Sequence, residues 1–345
     1  RPLRCLDVGS SNPVAVMTFA KKALALGTLA SLGAVATAFA SASAQSTLNG
    51  AGATFPAPFY QRAFAGLASQ GVMVNYQSVG SGAGVRQFVA GTVDFGATDE
   101  PITDAEAAKV KRGVVQFPAA GGTIAVAFNK ADCNGLKLTQ KQVADIFLGK
   151  ITSWDQLKCG KGKLTVAHRS DGSGTTFAFT NSLSAFSSEW KAKVGEGKSV
   201  KWPVGVGGKG NEGVAGVISN TPGAIGYVSR SFVKGAIKAA AVQNKAGNFV
   251  MPGLAGGQSA LNSIQLNADL AGEDPNPAGA QSYPISTLTW ILAYEKGNGA
   301  KAGAIRKAML HLLGPAQNIA DDLGYVPLRG DIVKKSRAAV ARIGS

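Results

Sequence analysis

Histidine is almost absent from this chain of 345 residues, which carries only His168 and His311. A His-rich metal centre is therefore excluded, and no His/Cys/Asp cluster has metal-ligand spacing. A Ser–His–Asp triad has little to draw on, because His168, Asp171 and Ser173 crowd a single turn. Neither Ser81 nor Ser173 is flanked by the glycines of a nucleophile elbow. The segment SDGSGTT lacks the lysine that a phosphate-binding P-loop requires. These absences predict no metal, no cofactor and no catalysis. Charge is also sparse, at 16% of residues against 45% hydrophobic, which leaves ample material for a large core and favours two globular domains. Forty-five glycines and 14 prolines follow no collagen-like period, so they are read as many tight turns, and no internal repeat is found.

What is present begins with an export signal. Met17 opens a segment with Lys21 and Lys22, then an Ala/Gly-rich apolar run, then a small-residue cleavage site at Ala42-Ser43-Ala44. A membrane anchor is the alternative, but the many Ala, Gly, Ser and Thr make the run weakly hydrophobic. Residues 1–44 are thus expected to be removed, with 1–16 an over-long start. No cysteine follows the run, so lipid attachment is not expected and a free periplasmic protein is. Removal takes away four basic residues and one acidic one, so the mature chain keeps +12 of the formal +15. Its Lys and Arg are scattered singly, which implies a general attraction for anions and no nucleic-acid footprint. Of three cysteines, Cys5 lies in the removed region. Cys133 and Cys159, both in turn-rich stretches, are expected either to form a disulfide or to remain as two buried thiols.

Along the mature chain, Phe59, Ala63, Phe64 and Leu67 predict a helix over 56–69 leading into a strand over 72–76. A helix carrying Val85, Phe88 and Val89 and a strand over 93–97 follow, then a capping box from Thr103 to Glu106. Two apolar runs over 114–129 are broken by Gly121-Gly122, a candidate hinge. Further on, Thr139 and Gln142 cap a short helix, a strand over 164–167 feeds a helix over 176–186, and Val214, Val217 and Ile218 mark another helix before a strand over 224–228. Residues 243–282 are read as loops, 288–294 as a strand, and Ile305, Met309, Leu312 and Leu313 as a helix stripe. The alternation predicts α/β domains with mainly parallel sheets, whose ligands sit at the carboxyl ends of strands.

Three Gly/Ser/Thr-rich turns each precede a helix: Gly52-Ala53-Thr54-Phe55, Gly80-Ser81-Gly82 and Asp171-Gly172-Ser173-Gly174-Thr175. Each can aim free N–H groups and a hydroxyl at an anion, although one such turn alone is most often a plain cap. Arg169 lies just before the third, where a guanidinium can grip a tetrahedral oxyanion while Asp171 braces it. A surface salt bridge is the alternative for that pair. Asp99, at the end of the 93–97 strand in FGATDEP, should repel an anion. It accepts a hydrogen bond, however, from an oxyanion that still carries a proton, and sites built on such a bond reject the bare analogue by about 10⁴–10⁵. A turn or cap ahead of Pro101 is its other reading.

Six blocks carry a resemblance: GAGATFPAP from Gly50, NYQSVGSGAGV from Asn75, VDFGATDEP from Val93, RSDGSGTTFAFT from Arg169, GGKGNEGV from Gly207 and GAIGYV from Gly223. The chain from about Leu48 onward resembles the periplasmic phosphate-binding proteins of high-affinity ABC phosphate importers; only the stretch from about Val242 to Pro284 departs from them. The resemblance implies a two-domain, type II-like α/β binding protein, with the ligand cleft between domains joined by crossover strands. The implied division is 45–121 with 288–345 as one domain and 122–287 as the other. It implies phosphate contacts from Thr54 and Phe55, from Ser81, from Asp99 as acceptor of the ligand's proton, from Arg169 paired with Asp171, and from Ser173, Gly174 and Thr175. By spacing alone Phe55 reads as a helix staple. The implied role is that of a monomeric, non-enzymatic solute receptor that delivers phosphate to a membrane-embedded permease. Other readings are a receptor for arsenate, sulfate or molybdate, a secreted phosphatase-like enzyme, or a surface adhesin. Asp99 argues against sulfate and molybdate, whereas arsenate carries the same proton.

Overall fold

Most of the strands belong to one strongly mixed sheet. The computed structural model describes residues 45–345, so the expected export segment and over-long start lie outside the described residues. The strands are β1 (Ser46–Gly52), β2 (Val72–Ser78), β3 (Phe95–Thr98), β4 (Val114–Asn129), β5 (Lys137–Leu138) and β6 (Thr165–Arg169). They continue as β7 (Val206–Gly208), β8 (Ala224–Ser229), β9 (Lys238–Ala239), β10 (Ala241–Gln243), β11 (Phe249–Val250) and β12 (Ser286–Tyr294). The large sheet runs β2-β1-β3-β12-β4-β8-β6-β7 with β9 also on β4, and a small sheet runs β11-β10-β5. Strands β1, β2 and β3 pair in parallel at one end, and β6, β7 and β8 do so at the other. The long strands β12 and β4 cross the middle antiparallel to their neighbours.

Strand β4 is buried along nearly its whole length, which accounts for its almost unbroken apolar sequence. It pairs with β12 from Val114 to Thr123 and with β8 from Ile124 onward. The expected break at Gly121-Gly122 is therefore a correction: the strand continues through both glycines and changes partner just after them. The glycines are needed for close packing, since a Cβ on Gly121 would meet Leu261 at 2.0 Å and one on Gly122 would meet Phe55 at 2.6 Å. The β12–β4 register slips between Thr289 and Trp290, opposite Pro118, which has no N–H to give to the ladder.

Both capping boxes form, at Thr103/Glu106 and Thr139/Gln142, each contributing about 1 kcal/mol to its helix. The stretch 243–282 is not all loop. Leu254–Leu261 is a helix despite Gly256 and Gly257, because a Cβ on Gly257 would strike Val326 at 2.5 Å. Tertiary packing overrides poor helix propensity there. Trp154, Trp190 and Trp290 are fully buried, each with its indole N–H donating to a backbone carbonyl at 2.8–2.9 Å. Each such burial is worth about 1.5–3 kcal/mol. Cys133 and Cys159 are joined, with Cα atoms 5.0 Å apart, so the free-thiol alternative falls away. Among the described residues no helix is long and apolar enough to cross a membrane.

Candidate functional site

The candidate residues come from turns that follow the carboxyl ends of strands, as the α/β pattern requires. Thr54 follows β1 and precedes the helix Ala57–Ala65. Ser81 opens the helix Ser81–Val89 after β2, and Asp99 directly follows β3. Arg169 ends β6, and Ser173 caps the helix Gly174–Phe186 by accepting the Thr176 N–H at 3.0 Å.

Folding brings these turns into one buried cluster. The Ser81 hydroxyl accepts the Asp99 N–H at 3.3 Å, and the Thr175 hydroxyl donates to Asp99 Oδ2 at 3.1 Å. Gly82 N–H donates to Gly172 O at 2.9 Å, which docks the second turn against the third. Two glycines are mandatory at these junctions. Gly80 has φ 91°, and a Cβ there would lie 2.3 Å from an Asp171 oxygen. A Cβ on Gly174 would sit 2.7 Å from the Asp99 backbone nitrogen. Thr54, Ser81, Asp99, Arg169, Ser173 and Thr175 are all buried.

Charge within the cluster is arranged as a cationic and an anionic pole. Arg169 donates to both Asp171 oxygens, from Nε at 2.7 Å and Nη2 at 2.6 Å. Asp171 Oδ1 also accepts the Gly210 N–H at 3.0 Å. Burial alone would raise the Asp171 pKa, but the hydrogen bonds and charge of Arg169, with the Gly210 N–H, hold it below the ordinary value. The remaining guanidinium nitrogen, Arg169 Nη1, is buried with no hydrogen-bond partner among the described residues. An orphaned charged donor is costly unless something fills it. Asp99 sits in contrasting surroundings. Burial pushes its carboxyl up to about 7, against hydrogen bonds from Thr289 and Thr175 and the charge of Arg169.

Of the residues expected from sequence, the structure brings Thr54, Ser81, Asp99, Arg169, Asp171, Ser173, Gly174 and Thr175 into one cluster. Phe55 takes a position of its own: its ring meets Tyr325 edge-on at 5.8 Å, and its carbonyl accepts the Tyr325 hydroxyl at 2.7 Å. Two residues were missed. Thr289 donates to Asp99 Oδ1 at 2.9 Å from beside the β12 bulge, and its signal was a threonine beside the apolar run that ends that strand. Asn211, in GGKGNEGV, bonds both Thr54 and Thr175. At the rim, Lys198 contacts Glu100 at 2.9 Å and Glu106 at 3.3 Å, joining the third-turn side to the β3 side.

Both histidines are structural. His168 stacks on Trp202 and donates to Arg169 O at 3.0 Å, while His311 donates to Ala63 O at 3.1 Å. Among the described residues no group of three His, Cys, Asp or Glu could hold a metal ion. A cavity of about 750 Å³ near Ile102, Gln116 and Arg342 shares none of the candidate residues, and without convergent orphaned donors it lacks the chemistry of the buried cluster.

Comparison with known proteins adds a lineage to this geometry. Residues 37–308 match the PBP superfamily domain. The phosphate-binding protein PstS of Pasteurella multocida is 40% identical over 319 residues, covering 87% of this chain and 91% of that protein. Its namesake in Xylella fastidiosa is 41% identical over 310 residues, 84% of each. Among solved structures, a high affinity periplasmic phosphate-binding protein crystallised with phosphate superposes with TM-score 0.72 at 22% identity, over 85% of this chain and 93% of the other. A phosphate binding protein from Stenotrophomonas maltophilia gives TM-score 0.70 at 20% identity, over the same shares. At these identities the structural likeness shows the fold, a two-domain, type II-like periplasmic binding protein.

Proposed function

The chain belongs to the PstS family of phosphate-binding proteins, and on that premise we propose that its buried cluster captures inorganic phosphate and that the protein delivers it to the membrane-embedded permease of an ABC importer. The observation that carries the reading is the pairing of opposites in one dry site. An unpartnered Arg169 Nη1 asks for an anion, while Asp99 asks for a proton. A phosphate that keeps a hydrogen on one oxygen satisfies both at once. Thr54, Ser81 and Ser173 through their hydroxyls, and Phe55, Gly174 and Thr175 through their backbone N–H groups, supply donors to the remaining oxygens, and Asp171 keeps the guanidinium aimed. Donors at helix starts are well suited to a dianion, since their partial positive charge adds to that of Arg169.

The two halves of the sheet then act as lobes, 45–121 with 288–345 and 122–287, hinged on β4 and β12 and closing over a dehydrated ligand. The family and the structural neighbours are substrate-binding proteins, and we read this chain likewise as having no catalytic activity. Export through the 1–44 segment to the periplasm completes the reading. Calorimetric titration of the protein, stripped of bound phosphate, tests it. One-to-one saturable binding of phosphate is expected, and absence of binding overturns the reading. Release of product from a chromogenic phosphate ester by the pure protein would overturn its non-enzymatic part.

A further inference from the structure

We propose that Asn211 is a positioning residue that sets the direction of the hydrogen bonds around the ligand and leaves Thr54 able only to donate. The inference rests on the anion-binding reading above and deepens it. Asn211, Thr54, Thr175, Asp99 and Ser229 are all buried.

The amide orientation follows from its neighbours. Ser229 N–H lies 2.7 Å from Asn211 Oδ1, and a backbone N–H can only donate, so the amide oxygen faces β8. The amide nitrogen must then face the two threonines, 2.9 Å from Thr54 Oγ1 and 3.2 Å from Thr175 Oγ1. An amide NH₂ only donates, so both hydroxyl oxygens accept from it. Thr54 Oγ1 also accepts the Asn211 backbone N–H at 3.0 Å. A hydroxyl has two lone pairs and one hydrogen. Both lone pairs of Thr54 are occupied, and its hydrogen is left for the ligand. Thr175 accepts from the same amide and passes its hydrogen to Asp99 Oδ2.

One side chain therefore orients two hydroxyls from opposite sides of the cleft. The chain of bonds runs one way, from Ser229 through Asn211 and Thr175 to the carboxylate. A ligand oxygen facing Thr54 meets a donor and must be unprotonated, whereas Asp99 is the acceptor where the ligand's single proton belongs. The device favours an oxyanion with one protonated oxygen and bare oxygens elsewhere.

A double-mutant cycle read by phosphate titration calorimetry tests this. In the parent, Thr54→Val should weaken binding by about tenfold through loss of a donor. In Asn211→Asp the new carboxylate accepts the Thr54 hydrogen, so adding Thr54→Val should cost less than about twofold more. Additive costs would overturn the proposal, because repulsion or lost packing alone leaves the Thr54 term unchanged. Should Asn211→Asp fail to fold, the cycle is run in Asn211→Ala, where a freed lone pair relaxes the constraint and the Thr54→Val cost should again shrink. Parent protein that binds no phosphate would sink the reading beneath, whereas normal parent binding with additive costs sinks only the role of Asn211.

Discussion

Asp171 and Asp99 are the same residue type in the same buried cluster, yet their surroundings give them opposite characters. Asp171 is gripped by both arms of a guanidinium and a backbone N–H and is held in its charged form. Asp99 receives two hydroxyl hydrogens and, among the described residues, no direct cationic partner, and burial lifts it to about 7. A carboxylate locked to an arginine shapes the affinity of the site, whereas one left among hydroxyls is poised to sense a proton. On the proposed reading, that contrast separates an anion receptor that discriminates from one that merely attracts.

The largest effect expected from breaking the contrast is on selectivity. Asp99→Asn exchanges one carboxylate oxygen, an acceptor for the ligand's proton, for an NH₂ that can donate to a bare oxyanion. The ratio of phosphate to sulfate affinity should fall by up to about 10⁴ in competition titrations, and a variant as selective as the parent would place the discrimination elsewhere. Next comes Arg169→Ala, which removes the cationic pole and leaves Asp171 bare. Phosphate binding should weaken by at least about 1.5–3 kcal/mol, roughly tenfold to 150-fold, by calorimetry.

A smaller effect concerns stability. The folded pKa of Asp99, about 7, stands above its ordinary 3.8, so its contribution is fully present below the lower value and is lost as pH rises through the upper one. Without ligand, Asp99→Asn should therefore melt higher than the parent at pH 8, with an advantage that shrinks as pH falls below 7 and vanishes only below 3.8. Equal melting curves at pH 8 would show that Asp99 carries no buried-charge penalty. The least effect on either pole is expected from replacing Cys133 and Cys159 by serine. Opening that 26-residue loop should cost about 3 kcal/mol of stability in denaturant melts while phosphate affinity stays unchanged.

Much of this was legible in the residues themselves. The capping boxes, the glycine turns before helices and the Arg169–Asp171 spacing are local features, and local features are read directly from neighbours in the chain. The helix Leu254–Leu261 was not legible, since its glycines suit a contact with Val326 that only the folded chain creates. The partner exchange in β4 was hidden for a related reason, because two glycines that look like a break serve as close-packing points. Within the site, Asn211 and Thr289 gain their meaning from groups more than thirty residues away, Thr54 and Thr175 for one and Asp99 for the other. Asn211 lay inside a recognised block and Thr289 beside the apolar run of β12, so a polar residue where burial is expected was the signal available.

The most direct test of the central claim is a calorimetric titration of the parent protein with phosphate and with sulfate at pH 8 and at pH 5. The account predicts tight phosphate binding and no measurable sulfate binding at pH 8, with sulfate binding emerging toward pH 5 as Asp99 takes up a proton and becomes a donor. Sulfate bound as tightly as phosphate at pH 8 would contradict it.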